Sequence, residues 1–189
     1  MPTPDRTSLS EIVEAARGLL EAGGPSAITM SAVAARVGVR PPSLYKRVRD
    51  RESLVQLVAE AAAAELTARL DASGHSIADH ARAFRAFARD NPEGFRLMFS
   101  TAGATEASRR AAAPILDASR ELVGPERALD AARLFTAWAT GFVNMELAGA
   151  FRMGGDVDEA FEFALSTIQA GLERQSAEPP GQVLPAHGS

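Results

Sequence analysis

The sequence predicts an all-α protein made of two helical domains. Three observations carry that expectation. Alanine is abundant and β-branched residues rarely cluster, so helix is the favoured local state. Apolar residues recur at spacings of three and four along the chain. The periodic segments are punctuated by Gly-, Pro- and Asp-rich breaks, and one of these, "DASGH" at residues 71–75, divides the chain in two.

The elements follow in order. Residues 1–7 hold two prolines and read as a flexible arm. Ser8 and Glu11 form a capping-box pattern, in which each side chain satisfies an otherwise unpaired backbone N–H. Leu9, Ile12, Val13, Ala16, Leu19 and Leu20 then give a helix that Gly23, Gly24 and Pro25 terminate. Thr29 is placed to cap a short helix to about Val37, which Gly38 stops. A second short helix begins near Pro41 and Pro42, where proline is tolerated because a first-turn N–H has no helical partner. Asp50 caps a fourth helix through about Leu70, completing a domain over residues 8–70. The second domain is expected over residues 76–173. Its helices span about Ser76–Arg89, a short stretch after Asn91-Pro92, about Thr105–Leu122 with a bend at Pro114, about Glu126–Ala150, and a last one opened by Asp156 and Glu159 and running to about Leu172. Residues 174–189, ending "PAHGS", have the composition of a disordered tail.

Composition narrows the function. With 189 residues the chain can bury a substantial core. It has no cysteine, no apolar run long enough to span a bilayer and no signal-peptide pattern, so a cytoplasmic protein without membrane contact is expected. Its net charge of −4 is uneven. Residues 1–60 carry eight basic and seven acidic residues, whereas residues 61–189 carry twelve and seventeen. Positive charge is concentrated between Met30 and Leu54, "MSAVAARVGVRPPSLYKRVRDRESL", which also holds Lys46, the single lysine of the chain.

That stretch has the arrangement of a tight helix-turn-helix. Ala34 falls inside the first short helix, Gly38 in the turn and Leu44 inside the second, with Val33, Val37, Val39 and Val48 as the other apolar positions. A small residue lets the two helices approach, and a glycine takes the left-handed turn cheaply. The second helix is then presented outward, able to enter a major groove. Arg40, Ser43 and Arg47 lie on or beside its outward face, where arginine can pair with a guanine edge. Tyr45, Lys46 and Thr29 are placed to reach phosphates. The same spacing also suits a plain helical hairpin with a solvated basic face.

The residues "IVEAARGLLEAGG" followed by "ITMSAVAARVGVRPPSLYKRVRDRESLVQLVAE" resemble the N-terminal DNA-binding domain of the TetR family of transcriptional regulators, over roughly residues 6–66. Thr29, Val33, Ala34, Gly38, Val39, Leu44, Tyr45, Val48, Arg51 and Leu54 carry the resemblance. It implies that Thr29, Tyr45 and Lys46 grip the DNA backbone and that Arg40, Pro41, Pro42 and Ser43 read bases. The Pro41-Pro42 pair departs from the family pattern and removes two N–H donors that could otherwise bind phosphate.

In the second domain Phe135, Trp138, Phe142, Met145 and Gly149 form one helical seam, with Ala137, Gly141 and Ala148 on another face. The last helix lines up Val157, Phe161, Ala164, Leu165, Ile168 and Leu172. These faces suit either a two-fold helical interface or intramolecular core. "FRAFARDNPEGFRLMFS" and "GFVNMELAGAFRMGGDVDEAFEFAL" resemble the C-terminal sensor domain of a TetR subgroup, in which a histidine commonly precedes the glycine of the motif. Here Thr140 precedes Gly141. The resemblance favours a homodimer through the two C-terminal helices. It also implies a ligand pocket, for which Phe84, Phe95, Met98, Phe99, Trp138, Phe142 and Met145 offer an apolar lining suited to a small apolar effector. Arg96, Asn144 and Glu146 are candidate polar handles.

Enzyme chemistry is not expected. His75, His80 and His187 are too few and too scattered for a metal site, no nucleotide or nucleophile-elbow motif occurs, and no cofactor is implied. The expectation is a homodimeric repressor that binds double-stranded DNA at a palindromic operator and leaves it when an effector binds. An activator of the same family, or a helical protein-interaction module with no sequence-specific DNA binding, are the alternatives.

Overall fold

The computed structural model describes residues 7–100 and 106–177. The expected arm, apart from Thr7, and the expected tail from residue 178 onward lie outside the described residues. Among the described residues the fold is all-helical: α1 (Leu9–Gly23), a 3₁₀ turn (Pro25–Ala27), α2 (Met30–Arg36), α3 (Pro41–Leu44), α4 (Arg51–Ala72), α5 (Ile77–Asp90), α6 (Pro92–Ser100), α7 (Glu106–Val123), α8 (Ala128–Leu147) and α9 (Val157–Ala177). The chain forms two compact units. Among the described residues one comprises 7–74 with 82–100 and 106–113, the other 75–81 with 114–177.

In the first unit α1 starts as its sequence dictates. Glu11 N–H donates to Ser8 Oγ at 3.2 Å while Ser8 N–H donates to the Glu11 carboxylate at 2.6 Å. The helix buries Ile12, Ala16 and Leu20 and ends where Gly24 turns to φ +69°. These residues meet Ile28, Val33, Leu44, Val48, Leu54 and Val58 in one core, which Leu97 of α6 completes. Helix α6 therefore packs on α1 and α4, although it lies beyond the 71–75 break. A polar joint reinforces this seat. The Glu21 carboxylate of α1 accepts the Glu93 N–H at 3.1 Å and the Gly94 N–H at 2.8 Å, satisfying first-turn donors of α6 from another helix.

A second polar chain ties α1, α4 and α5 together. Glu65 accepts from Arg17 and, at 2.7 Å, from Arg69, whose other Nη donates to Asp90 at 2.7 Å. Burial works to raise the Glu65 pKa, but the hydrogen bonds from Arg17 and Arg69 outweigh it and hold the carboxyl below its ordinary value.

In the second unit α8 buries Ala128, Ala131, Phe135, Ala139 and Val143, and α9 buries Phe161, Leu165 and Leu172. The Trp138 and Phe161 rings stack at 5.3 Å, so the expected seam of α8 faces α9 within the subunit. Ala137, Gly141 and Ala148 are exposed instead. Helix α8 stops at Leu147 rather than Ala150 because Gly149 turns to φ +62° and Ala150 N–H donates back to the Met145 carbonyl. Helix α9 runs to Ala177, so residues 174–177 are helix and not tail. Glu173, Arg174, Gln175 and Ala177 are good helix formers and the next breaker is Pro179, which is why the expected end at Leu172 came too early.

Candidate nucleic-acid interface

The corner between α2 and α3 is fixed by backbone. Gly38, at φ +71°, donates to the Ala35 carbonyl at 3.3 Å, and Val39 donates to the Ala34 carbonyl at 2.9 Å. This pair of bonds with a left-handed residue between them is the Schellman stop, and it satisfies carbonyls that the end of α2 would leave open. Beneath the corner Val33, Ala34, Leu44 and Val48 are at most 2 % exposed. The short helix is thereby pinned on one side only, and its other side faces solvent.

Of the eight DNA-contact candidates, Thr29, Arg40, Pro42, Ser43, Tyr45, Lys46 and Arg47 are exposed and Pro41 is half-buried. Thr29 caps α2, its Oγ1 accepting the Ala32 N–H at 3.1 Å. The hydroxyl proton still points elsewhere and can serve a phosphate. Arg40 is the N-cap of α3, with an extended backbone at φ −86° and ψ 147°. Helix α3 has only four residues, and a turn over residues 45–47 carries Tyr45, Lys46 and Arg47. Tyr45 is 55 % exposed, an unusual position for the chain's one tyrosine unless its ring or hydroxyl meets a partner.

The six basic side chains between residues 36 and 51 do not share one task. Arg36 lies over α1, its guanidinium 3.0 Å from where a β-carbon on Gly18 would stand. Arg49 pairs with Asp50 at 2.8 Å. Asp50 caps α4 by accepting the Ser53 N–H at 2.8 Å, and that backbone bond, together with the one from Arg49, lowers its pKa from 3.8 to about 2. Arg51 donates to the Ile28 carbonyl at 2.7 Å and the Pro25 carbonyl at 2.5 Å. It holds the start of α4 to the turn before α2, a structural role that charge counting missed. The Arg40 and Lys46 side chains make no hydrogen bond or ion pair among the described residues.

The seven ligand candidates fall into two aromatic groups, one in each unit. Phe95 lies 5.4 Å from Phe84 and 4.9 Å from Phe99 between ring centroids, with Met98 half-buried on the same helix as Phe95 and Phe99. Trp138 and Phe142 pack around Phe161, and Phe151 closes on Phe142 at 4.9 Å. Phe99 and Met145 are each 49 % exposed. Phe151 and Phe161 were not among the candidates. The sequence places Phe161 on a helical face that suits either a two-fold interface or core, and Phe151 sits in a glycine-rich loop with no periodicity to mark it. Among the handles, Asn144 donates to the Thr140 carbonyl at 2.8 Å and Arg96 pairs with Glu93. Among the described residues the Thr140 hydroxyl is buried without a hydrogen-bond partner. A cleft of about 230 Å³ lies elsewhere in the second unit, lined by Val123, Arg127, Asp130, Leu134, Leu172 and Gln175 among others.

Among the described residues no three potential metal ligands converge, and no helix is long and apolar enough to cross a membrane. An outward basic corner on a Schellman-locked helix pair, followed by a second helical unit, defines a helix-turn-helix DNA-binding regulator. Two family models agree. One, for bacterial regulatory proteins of the tetR family, matches residues 5–58, and the other, for the C-terminal domain of tetracyclin repressor-like proteins, matches residues 77–168. The chain belongs to the TetR family of transcriptional regulators, which are DNA-binding proteins and not enzymes. It is 29% identical to an uncharacterized HTH-type transcriptional regulator of Mycobacterium tuberculosis, over 92% of this chain and 85% of that protein. Its fold is similar to a Rhodococcus sp. RHA1 protein of unknown function, with a TM-score of 0.77, 25% identity and coverage of 92% of this chain and 100% of that one. It is also similar to a TetR variant from Acinetobacter baumannii AYE in complex with minocycline, with a TM-score of 0.68, 26% identity and coverage of 91% and 99%.

Proposed function

We propose that the protein is a homodimeric, cytoplasmic repressor that binds a palindromic operator and is released from it by a small apolar effector. The observation that carries the reading is the exposed face made by Arg40, Ser43, Tyr45 and Lys46 on a corner whose other side is locked into the core. Pro41, Pro42 and Arg47 border that face, and Thr29 supplies a backbone contact from the start of α2. Two such corners related by a two-fold axis would meet half-sites about one helical turn apart, or somewhat more.

Dimerisation through α8 and α9 is favoured by what those helices leave uncovered. Phe163 of α9 is 73 % exposed and Leu134 of α8 is 51 % exposed, while Ala137 and Gly141 offer a shallow surface on the same face of α8 as Leu134. A bulky side chain next to a shallow groove on the same surface suits isologous packing. The effector reading draws on the two aromatic groups, on the orphan Thr140 hydroxyl, and on a structural neighbour solved with minocycline. Release requires only that the effector bind one arrangement of the dimer more tightly than the other.

The test is a binding selection on random duplex DNA near physiological salt, with a Tyr45→Ala/Lys46→Ala double variant in parallel. Enrichment of a palindrome by the wild type alone is expected. Retention of all sequences with no enrichment would overturn the reading in favour of a polyanion-binding interaction module.

A further inference from the structure

The side chains at the start of α3 restrict which bases this protein can prefer. Four features converge there. Positions 41 and 42 are proline, so the first two positions of α3 have no N–H to offer a phosphate. Both rings fix φ near −65°, which makes the approach to α3 rigid. Arg40 precedes them in extended backbone, exposed, with no side-chain cap bond and no acidic partner among the described residues. Arg36, Arg49 and Arg51 are each engaged with the protein itself, as described above. At the start of α3 the side chains presented to a groove are the planar fork of Arg40, the exposed hydrocarbon ring of Pro42 and the small hydroxyl of Ser43.

The fork and the ring each have a defined match in the major groove. A guanidinium donates two parallel hydrogen bonds to guanine N7 and O6, and no other base edge offers two acceptors so placed. A proline ring has no donor or acceptor on its exposed carbons. Its favourable neighbour on a base edge is the thymine methyl, and it leaves an unpaired polar group if set against adenine N6 or cytosine N4. We infer that each operator half-site is read chiefly as a guanine paired by Arg40 beside a thymine whose methyl packs on Pro42. This rests on the DNA-reading function proposed above.

The experiment starts from the operator enriched in the selection. In one half-site the inferred guanine is replaced by 7-deazaguanine, which lacks the N7 acceptor, and separately the thymine by deoxyuridine, which lacks the methyl. Affinities are measured for wild type, Arg40→Lys, Arg40→Ala, Pro42→Ala and, as a control, Lys46→Ala. The wild type should lose roughly 5- to 150-fold on 7-deazaguanine and about fourfold on deoxyuridine. Arg40→Ala should lose little further on 7-deazaguanine, because the pair is already broken, and Arg40→Lys should keep the salt dependence of the wild type. Pro42→Ala should be indifferent to deoxyuridine, and Lys46→Ala should keep the full penalties of both base changes. A palindrome whose affinity ignores both base changes, or penalties that add undiminished to those of Arg40→Ala and Pro42→Ala, would overturn this inference while leaving the proposed function standing. Failure to select any palindrome would overturn both.

Discussion

Gly38→Ala isolates the backbone term at the helix-turn-helix corner. A β-carbon built on Gly38 meets nothing within 4 Å, so the substitution brings no clash. What it does bring is an L side chain at φ +71°, which costs roughly 1–2 kcal/mol. Alanine also restricts the unfolded chain more than glycine does, which returns about 0.4–1 kcal/mol. The net loss should be about 1 kcal/mol, or about 2–4 °C in Tm for a chain of this size. Gly38→Asn should lose about half as much, since the short amide side chain tolerates the left-handed region. Denaturant titration at fixed protein concentration gives both values, with the concentration held constant because self-association shifts apparent stability. If alanine were neutral, or asparagine worse than alanine, the positive φ would not be what makes position 38 a glycine, and the corner would owe its shape to something other than this turn.

Five further outcomes follow from the same geometry. Arg51→Met should destabilise the fold by about 1 kcal/mol, at the low end for charge-assisted bonds because the side chain is solvent-exposed, and should leave the salt dependence of DNA binding unchanged. Lys46→Ala should do the reverse, lowering the slope of log affinity against log salt by about one unit with stability intact. Thr140→Val should raise stability by about 1 kcal/mol in thermal unfolding, because it removes a buried hydroxyl that has no partner; a comparable loss would mean that the hydroxyl is bonded. Gly141→Ala should raise helix stability by roughly 0.5–1 kcal/mol yet weaken the dimer in sedimentation equilibrium, and an unchanged dimer would remove the Gly141 face of α8 from the interface. Asp50 has its folded pKa depressed to about 2, so its contribution is present above pH 3.8 and is lost as pH falls through 2. Asp50→Asn should flatten the stability profile across that window and lower stability by a constant amount at pH 5 and above.

What could be read from the sequence was local. Ser8 with Glu11, Thr29 and Asp50 each declare a helix start within four residues, and Gly38 declares a helix end by itself, so the helix-turn-helix was legible almost residue by residue. The outward face of α3 was legible for the same reason, since Leu44 and Val48 fix which side is buried. The division of labour among the arginines was not. Arg51 and Arg40 look alike in a charge count, and only the fold reveals that carbonyls 23 and 26 residues away claim Arg51. Glu21 and Glu65 likewise gave no sign of their tasks, because their partners lie up to 73 and 48 residues off. The aromatic residues were correctly marked as apolar, but periodicity could not divide them between two compact units. The α8 seam illustrates the limit most plainly. Its spacing said that Phe135 and Trp138 share a face, and could not say whether that face meets α9 of the same chain or a second copy.

The seat of α6 on α1 and α4 has an evolutionary consequence. A recombination event at the 71–75 break would transplant the DNA-reading end without Leu97, opening a void in its core, and without the helix end that Glu21 holds. By analogy with truncating a buried leucine, that omission costs about 2–5 kcal/mol. A heritable swap of specificity between relatives must therefore carry residues 92–100 along, or find a new α6 that fits the old socket. Drift in α6 is tethered to drift in α1 and α4, and this helix evolves at the pace its helix-turn-helix neighbours allow.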